Sequence, residues 1–129
     1  MRILLVSLLL ACSIQAAVIE ISTDQDFTDQ VANVQGLVVV DFYATWCNPC
    51  KMMMPYFVEL SNEFQNVKFV KVNVDSSSLK SRFGVQSIPQ FLLFKNGVQI
   101  AKVVGASKKD LKKAIENYQS RSTEEESDD

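Results

Sequence analysis

Leu37-Val38-Val39-Val40-Asp41-Phe42-Tyr43 limits the choice of folds more than any other stretch of the chain. The run is almost wholly apolar, rich in β-branched and aromatic side chains, and shows no in–out alternation. A strand of that kind is covered on both faces, as at the centre of a parallel sheet. Asp41 is the one charged residue in it. Loss of water disfavours the carboxylate and raises its pKa, which makes Asp41 a candidate proton acceptor near neutral pH.

Around this strand the sequence alternates between strand and helix signals. Val18–Ile21 reads as a short strand, and Ser22-Thr23-Asp24-Gln25 as a helix start with Ser22 and Gln25 at capping-box spacing. Phe27, Val31 and Val34 mark the buried stripe of that helix. After the central strand a helix is expected from about Pro49, which a first turn tolerates. Its inward stripe is Met53, Phe57, Leu60 and Phe64, and Pro55 should kink it.

Val67–Val74 reads as a third strand, and Ser76-Ser77-Ser78 as the cap of a short helix through Arg82-Phe83. Pro89–Lys95 is a fourth strand, joined by the hairpin signal Asn96-Gly97 to a fifth at Val98–Val104. Ser107 caps a last helix with Leu111, Ala114, Ile115 and Tyr118 inward. The order β-α-β-α-β-α-β-β-α implies a parallel sheet with helices on both faces, ending in an antiparallel hairpin. Functional groups of such sheets gather at the carboxyl ends of the strands.

Two segments fall outside this pattern. Met1-Arg2, the apolar run Ile3–Ala11 and the small residues Ala16 and Ala17 have the layout of a secretory signal peptide cut after Ala16. Ile14, three residues before the cut, fits the small-residue rule loosely. The alternative is an uncleaved anchor, for which the 17 residues from Ile3 to Ile19 are at the short limit. Cleavage removes Cys12 and leaves Cys47 and Cys50 as the only cysteines.

The C-terminus, Glu126-Ser127-Asp128-Asp129, is no KDEL-type retention signal, so export is a simpler expectation than residence in the ER lumen. No Asn-x-Ser/Thr sequon occurs. Residues 119–129 are expected to be an acidic, disordered tail beyond a domain at 17–118. The mature chain has 12 cationic residues against 15 carboxylates, a balance that argues against nucleic acid as a partner.

The chemistry lies in Trp46-Cys47-Asn48-Pro49-Cys50. A C-x-x-C at a strand-to-helix junction puts the first sulfur at the helix N-terminus, where free N–H groups and the dipole favour a thiolate. Cys47 is therefore the candidate nucleophile, and Cys50, one turn on, the candidate resolving thiol. A zinc site needs about four ligands, and two thiols with no histidine do not supply them. The absence of histidine also excludes a Cys–His hydrolase. A scaffold disulfide is the remaining alternative.

The stretch Val38–Met52 resembles the active-site segment of thioredoxins. Ile88-Pro89, Phe94-Lys95-Asn96-Gly97 and Val104-Gly105-Ala106 follow in that family's order and spacing, and the likeness covers residues 18–118. It implies the α/β thioredoxin fold, a central mixed five-stranded sheet flanked by four helices. It also implies that Asp41 helps to deprotonate Cys50 with electrostatic support from Lys71 on a neighbouring strand. Pro89 would follow a cis peptide bond and, with Trp46, Asn48, Pro49, Ile88 and Gly105, form the substrate-binding surface beside Cys47.

Asn48 stands where Gly is usual between the cysteines, and a hydrogen bond from it to the thiolate would make the protein more oxidising. Gln90 stands where Thr is typical, with a change of the substrate groove expected. Of Met52, Met53 and Met54, most are expected to pack the helix and one to face substrate.

The resulting expectation is a secreted, monomeric thiol–disulfide oxidoreductase that reduces disulfide-containing proteins through Cys47 and Cys50. It needs no metal or organic cofactor, makes no membrane contact after cleavage, and is re-reduced by a thioredoxin reductase or another thiol reductant. Two other readings are a secretory-pathway disulfide oxidase or isomerase, and a non-enzymatic extracellular binding or chaperone protein using the same groove.

Overall fold

The computed structural model describes residues 17–124, with residues 120–124 described by backbone alone. The expected signal peptide, Cys12 and the last five residues lie outside the described residues. Five strands form one sheet: β1 (Val18–Ile21), β2 (Leu37–Tyr43), β3 (Lys68–Asn73), β4 (Gln90–Lys95) and β5 (Val98–Val104), in the order β1-β3-β2-β4-β5. β3 runs parallel to β1 and β2, while β4 is antiparallel to β2 and to β5. Among the described residues, no helix is long and apolar enough to cross a membrane.

Four helices flank the sheet. α1 (Asp24–Ala32) begins as an α-helix and widens to π geometry over Thr28–Ala32; α2 is Asn48–Glu63, α3 is Leu79–Arg82 and α4 is Lys108–Glu124. β2 is buried on both faces, as its composition requires. On one face Val38, Val40 and Phe42 meet Phe27 and Val31 of α1 and Leu79 of α3. On the other, Leu37 and Val39 meet Met53, Phe57 and Leu60 of α2, and Leu111 and Ile115 of α4. Pro55 lies inside α2.

Three local expectations are corrected. The cap of α1 is Thr23, not Ser22: the Asp26 carboxylate reaches back to the Ser22 and Thr23 N–H groups at 3.0 and 3.1 Å, a role Gln25 was expected to fill. Those backbone bonds hold the Asp26 pKa below its usual value. In α1 the Asn33 N–H reaches Thr28 O at 2.9 Å, one residue beyond α-helical spacing. Lastly, α4 runs six residues past Tyr118, so residues 119–124 are helical instead of part of a disordered tail. No Gly or Pro follows Tyr118 to stop the helix, and Gln119 Oε1 accepts from Asn66 Nδ2 at 3.0 Å.

Candidate active site

β2 ends at Tyr43, and the chain passes through buried Ala44 and exposed Thr45 and Trp46 into α2. Cys47 is the N-cap of that helix, and its Sγ accepts the Cys50 N–H at 3.2 Å, one of the donors a first turn leaves without a backbone partner. Cys47 and Cys50 are joined as a disulfide with their Cα atoms 5.2 Å apart. Both cysteines are buried, Cys47 at 5% exposed and Cys50 at 2%. Asn48 and Pro49 are exposed in the first turn. On reduction, the helix terminus that solvates Cys47 Sγ in the disulfide would stabilise its thiolate.

Trp46 is 66% exposed beside this pair. Its indole Nε1 donates to Asp75 Oδ2 at 2.7 Å, and Asp75 lies in the turn after β3, at the same end of the sheet. Sequence reasoning missed Asp75; the signal available was its place at the carboxyl end of a parallel strand. Ile88 packs against the cluster that contains both cysteines, and the Ile88–Pro89 peptide bond is cis. Pro89 is buried, and its carbonyl accepts the Gly105 N–H at 2.8 Å. Gly105 has φ +96° with open space where a Cβ would stand, so the backbone conformation itself favours glycine there.

Gln90 is buried against its register partners Phe42 and Val104 and does not present an open polar group to the groove. The methionines divide three ways. Met53 is core, Met52 is 73% exposed, and Met54 lines a cleft of about 220 Å³ that leads to Cys50. Tyr43, Ala44, Thr45, Lys51 and Lys71 complete the wall of that cleft.

Asp41 is wholly buried on the α2 side of β2, and neither of its carboxylate oxygens has a hydrogen-bond partner. Burial pushes its pKa up from 3.8 to about 7, against a smaller opposing pull from Lys71. Lys71 is the register neighbour of Asp41 across the β2–β3 pair. Its ammonium is nevertheless engaged elsewhere, 3.7 Å from Glu20 Oε1 and 5.4 Å from the centre of the Tyr43 ring. The support expected from Lys71 thus acts through the field, with no direct contact. Sequence reasoning also missed Glu20 and Tyr43, which reach this place by strand pairing.

Among the described residues, no group of three or more metal-capable side chains occurs. The arrangement can exchange two electrons as a dithiol–disulfide pair, with a buried carboxyl group able to take up or release a proton close to neutral pH.

A family model for thioredoxin matches residues 18–117. Thioredoxin-1 of Saccharomyces cerevisiae is 42% identical over 99 residues, which is 76% of this chain and 95% of that protein. Thioredoxin H2-1 of Oryza sativa subsp. japonica is 42% identical over 96 residues, covering 74% and 70%. The crystal structure of Malassezia sympodialis thioredoxin superposes with a TM-score of 0.75 at 38% identity, covering 81% of this chain and 92% of the other.

Proposed function

Because the chain belongs to the thioredoxin family, we propose that it is an exported reductase of protein disulfides, with Cys47 as the attacking thiol. That it is a thiol–disulfide oxidoreductase of thioredoxin type follows from the family, whose members act on disulfide proteins without metal or organic cofactor. The observation that carries the finer reading is the Cys47–Cys50 disulfide at the N-terminus of α2, beside the exposed Trp46. Export rests on the Met1–Ala17 pattern.

In this reading the Cys47 thiolate attacks one sulfur of a target disulfide. A bond forms between Cys47 and that sulfur, and the other target sulfur leaves as a thiolate. Cys50 gives its proton to Asp41 and attacks Cys47 Sγ, which closes the Cys47–Cys50 disulfide and expels the second target sulfur. Two electrons pass to the target. A thioredoxin reductase or another dithiol returns them.

Trp46, Asn48, Pro49, Ile88, Pro89 and Gly105 supply the surface against which the target strand lies. Trp46 is held there by Asp75, and the chain acts as a monomer.

Insulin reduction by the chain purified from the culture medium of expressing cells tests the reading. The active species is expected to have a mass that begins at Ala17, and Cys47→Ser is expected to abolish turnover. Full activity of Cys47→Ser would sink the mechanism, and retention of the intact leader inside the cell would sink export.

A further inference from the structure

Lys71 lies in a row between two carboxylates. The parallel register places Glu20 of β1, Lys71 of β3 and Asp41 of β2 side by side. Neighbouring strands are about 4.8 Å apart, so the lysine stem has an acid at a similar distance on each side. Its ammonium is with Glu20 at 3.7 Å, while both oxygens of Asp41 go without a partner. On the reading that Asp41 takes the Cys50 proton, we propose that Glu20 is a positioning residue for that step, holding Lys71 at the mouth of the cleft and away from Asp41.

The choice between the two acids has a physical cause. Glu20 is half exposed and Lys71 about a quarter, so a pair between them keeps much of its water. A pair between Lys71 and Asp41 would have to form where Asp41 is wholly buried, at a desolvation cost to both ions. The Tyr43 ring gives the ammonium a second resting surface on the outer side. Tyr43 remains a phenol, its pKa pushed up to about 12 by burial first and by Glu20 second.

An ammonium drawn in against Asp41 would stabilise the carboxylate and make it a weaker base toward the Cys50 thiol. With the ammonium held out, Asp41 can change protonation near neutral pH. The groups that face Asp41 allow few other sources of control. Tyr43 shares its strand, Lys71 comes from β3, and Cys50 and Lys51 of α2 line the cleft. Phe91 of β4 and Leu111 and Ile115 of α4 make the rest of that face apolar.

The test follows the Asp41 carboxyl carbon by NMR through a pH titration of the reduced protein, with the pH profile of insulin reduction alongside. Glu20→Gln is expected to lower the Asp41 midpoint by roughly 0.2–0.7 pH units, the range set by an exposed ion pair, and to move the rate profile the same way. In a Lys71→Met background the same Glu20→Gln change is expected to have no effect.

An unchanged midpoint in the single variant, or an equal shift in the Lys71→Met background, overturns the proposal. The reading beneath it is tested separately by Asp41→Asn. If that variant keeps the pH profile of the native protein, Asp41 is not the acceptor, whatever Glu20 does.

Discussion

Asp41 combines two properties that rarely persist together, complete burial and two carboxylate oxygens without hydrogen bonds. The consequence for stability has a definite sign. Its pKa is raised on folding, from 3.8 to about 7, so the folded state holds a proton that the unfolded chain has lost over that interval. The contribution of Asp41 is therefore whole below pH 3.8 and is lost as the pH rises through 7. A displacement of this size corresponds to something on the order of 4 kcal/mol. Asp41→Asn is expected to be more stable than the native protein at pH 8 by a few kcal/mol, with the difference fading toward pH 4. Denaturant titrations at the two pH values check this, and an equal difference at both would contradict it.

Among the elements, the β4–β5 hairpin shows how a short signal can place a whole edge of the sheet. Asn96 and Gly97 have φ of +52° and +82°, as a two-residue turn of this kind needs. The turn is also docked. Asn96 Oδ1 accepts the Gly36 N–H at 2.8 Å, and a Cβ on Gly97 would stand 2.6 Å from the carbonyl oxygen of Ala32. Gly97→Ala is accordingly expected to lose about 1–3 kcal/mol of stability from backbone conformation and overpacking together. Its insulin-reductase kcat should stay near native at 25 °C, because the turn lies at the pole opposite the cysteines. A denaturant midpoint equal to the native one would contradict the steric argument.

The same hairpin was legible in the sequence because its determinants are local, as were the apolar run of β2 and the stripe of α2. The cap of α1 was displaced by one residue because both Gln25 and Asp26 follow a hydroxyl residue at capping-box spacing, and only the backbone decides between them. The π turn at Thr28–Ala32 left no periodic signature, since Phe27 and Val31 are still four apart. Within the site, the C-x-x-C pair and Trp46 could be read directly from the chain. Glu20 could not, because its place beside Lys71 depends on which strands pair and in what register, while Tyr43 and Asp75 left only their positions at strand ends as a signal.

For the whole molecule, the sheet order brings the redox pair, the buried acid and Trp46 to one end of the sheet, and both core layers lie beside and beneath them. β2 and α2 together set the site: Cys47 caps the helix, and Asp41 is buried in the strand that leads to it. Trp46, Asn48 and Pro49 are exposed around the pair, and Ile88, which precedes the cis bond to Pro89, packs against the cluster that holds both cysteines. In the proposed mechanism the two sulfurs have unequal roles, with Cys47 attacking and Cys50 releasing the product.

Mass spectrometry of the Cys50→Ser variant after reaction with oxidised insulin addresses that asymmetry directly. The expected product is a stable mixed disulfide between Cys47 and one insulin cysteine, with no such adduct in Cys47→Ser under the same conditions. An adduct that forms through Cys50 in Cys47→Ser while Cys50→Ser stays free would reverse the roles and contradict the mechanism.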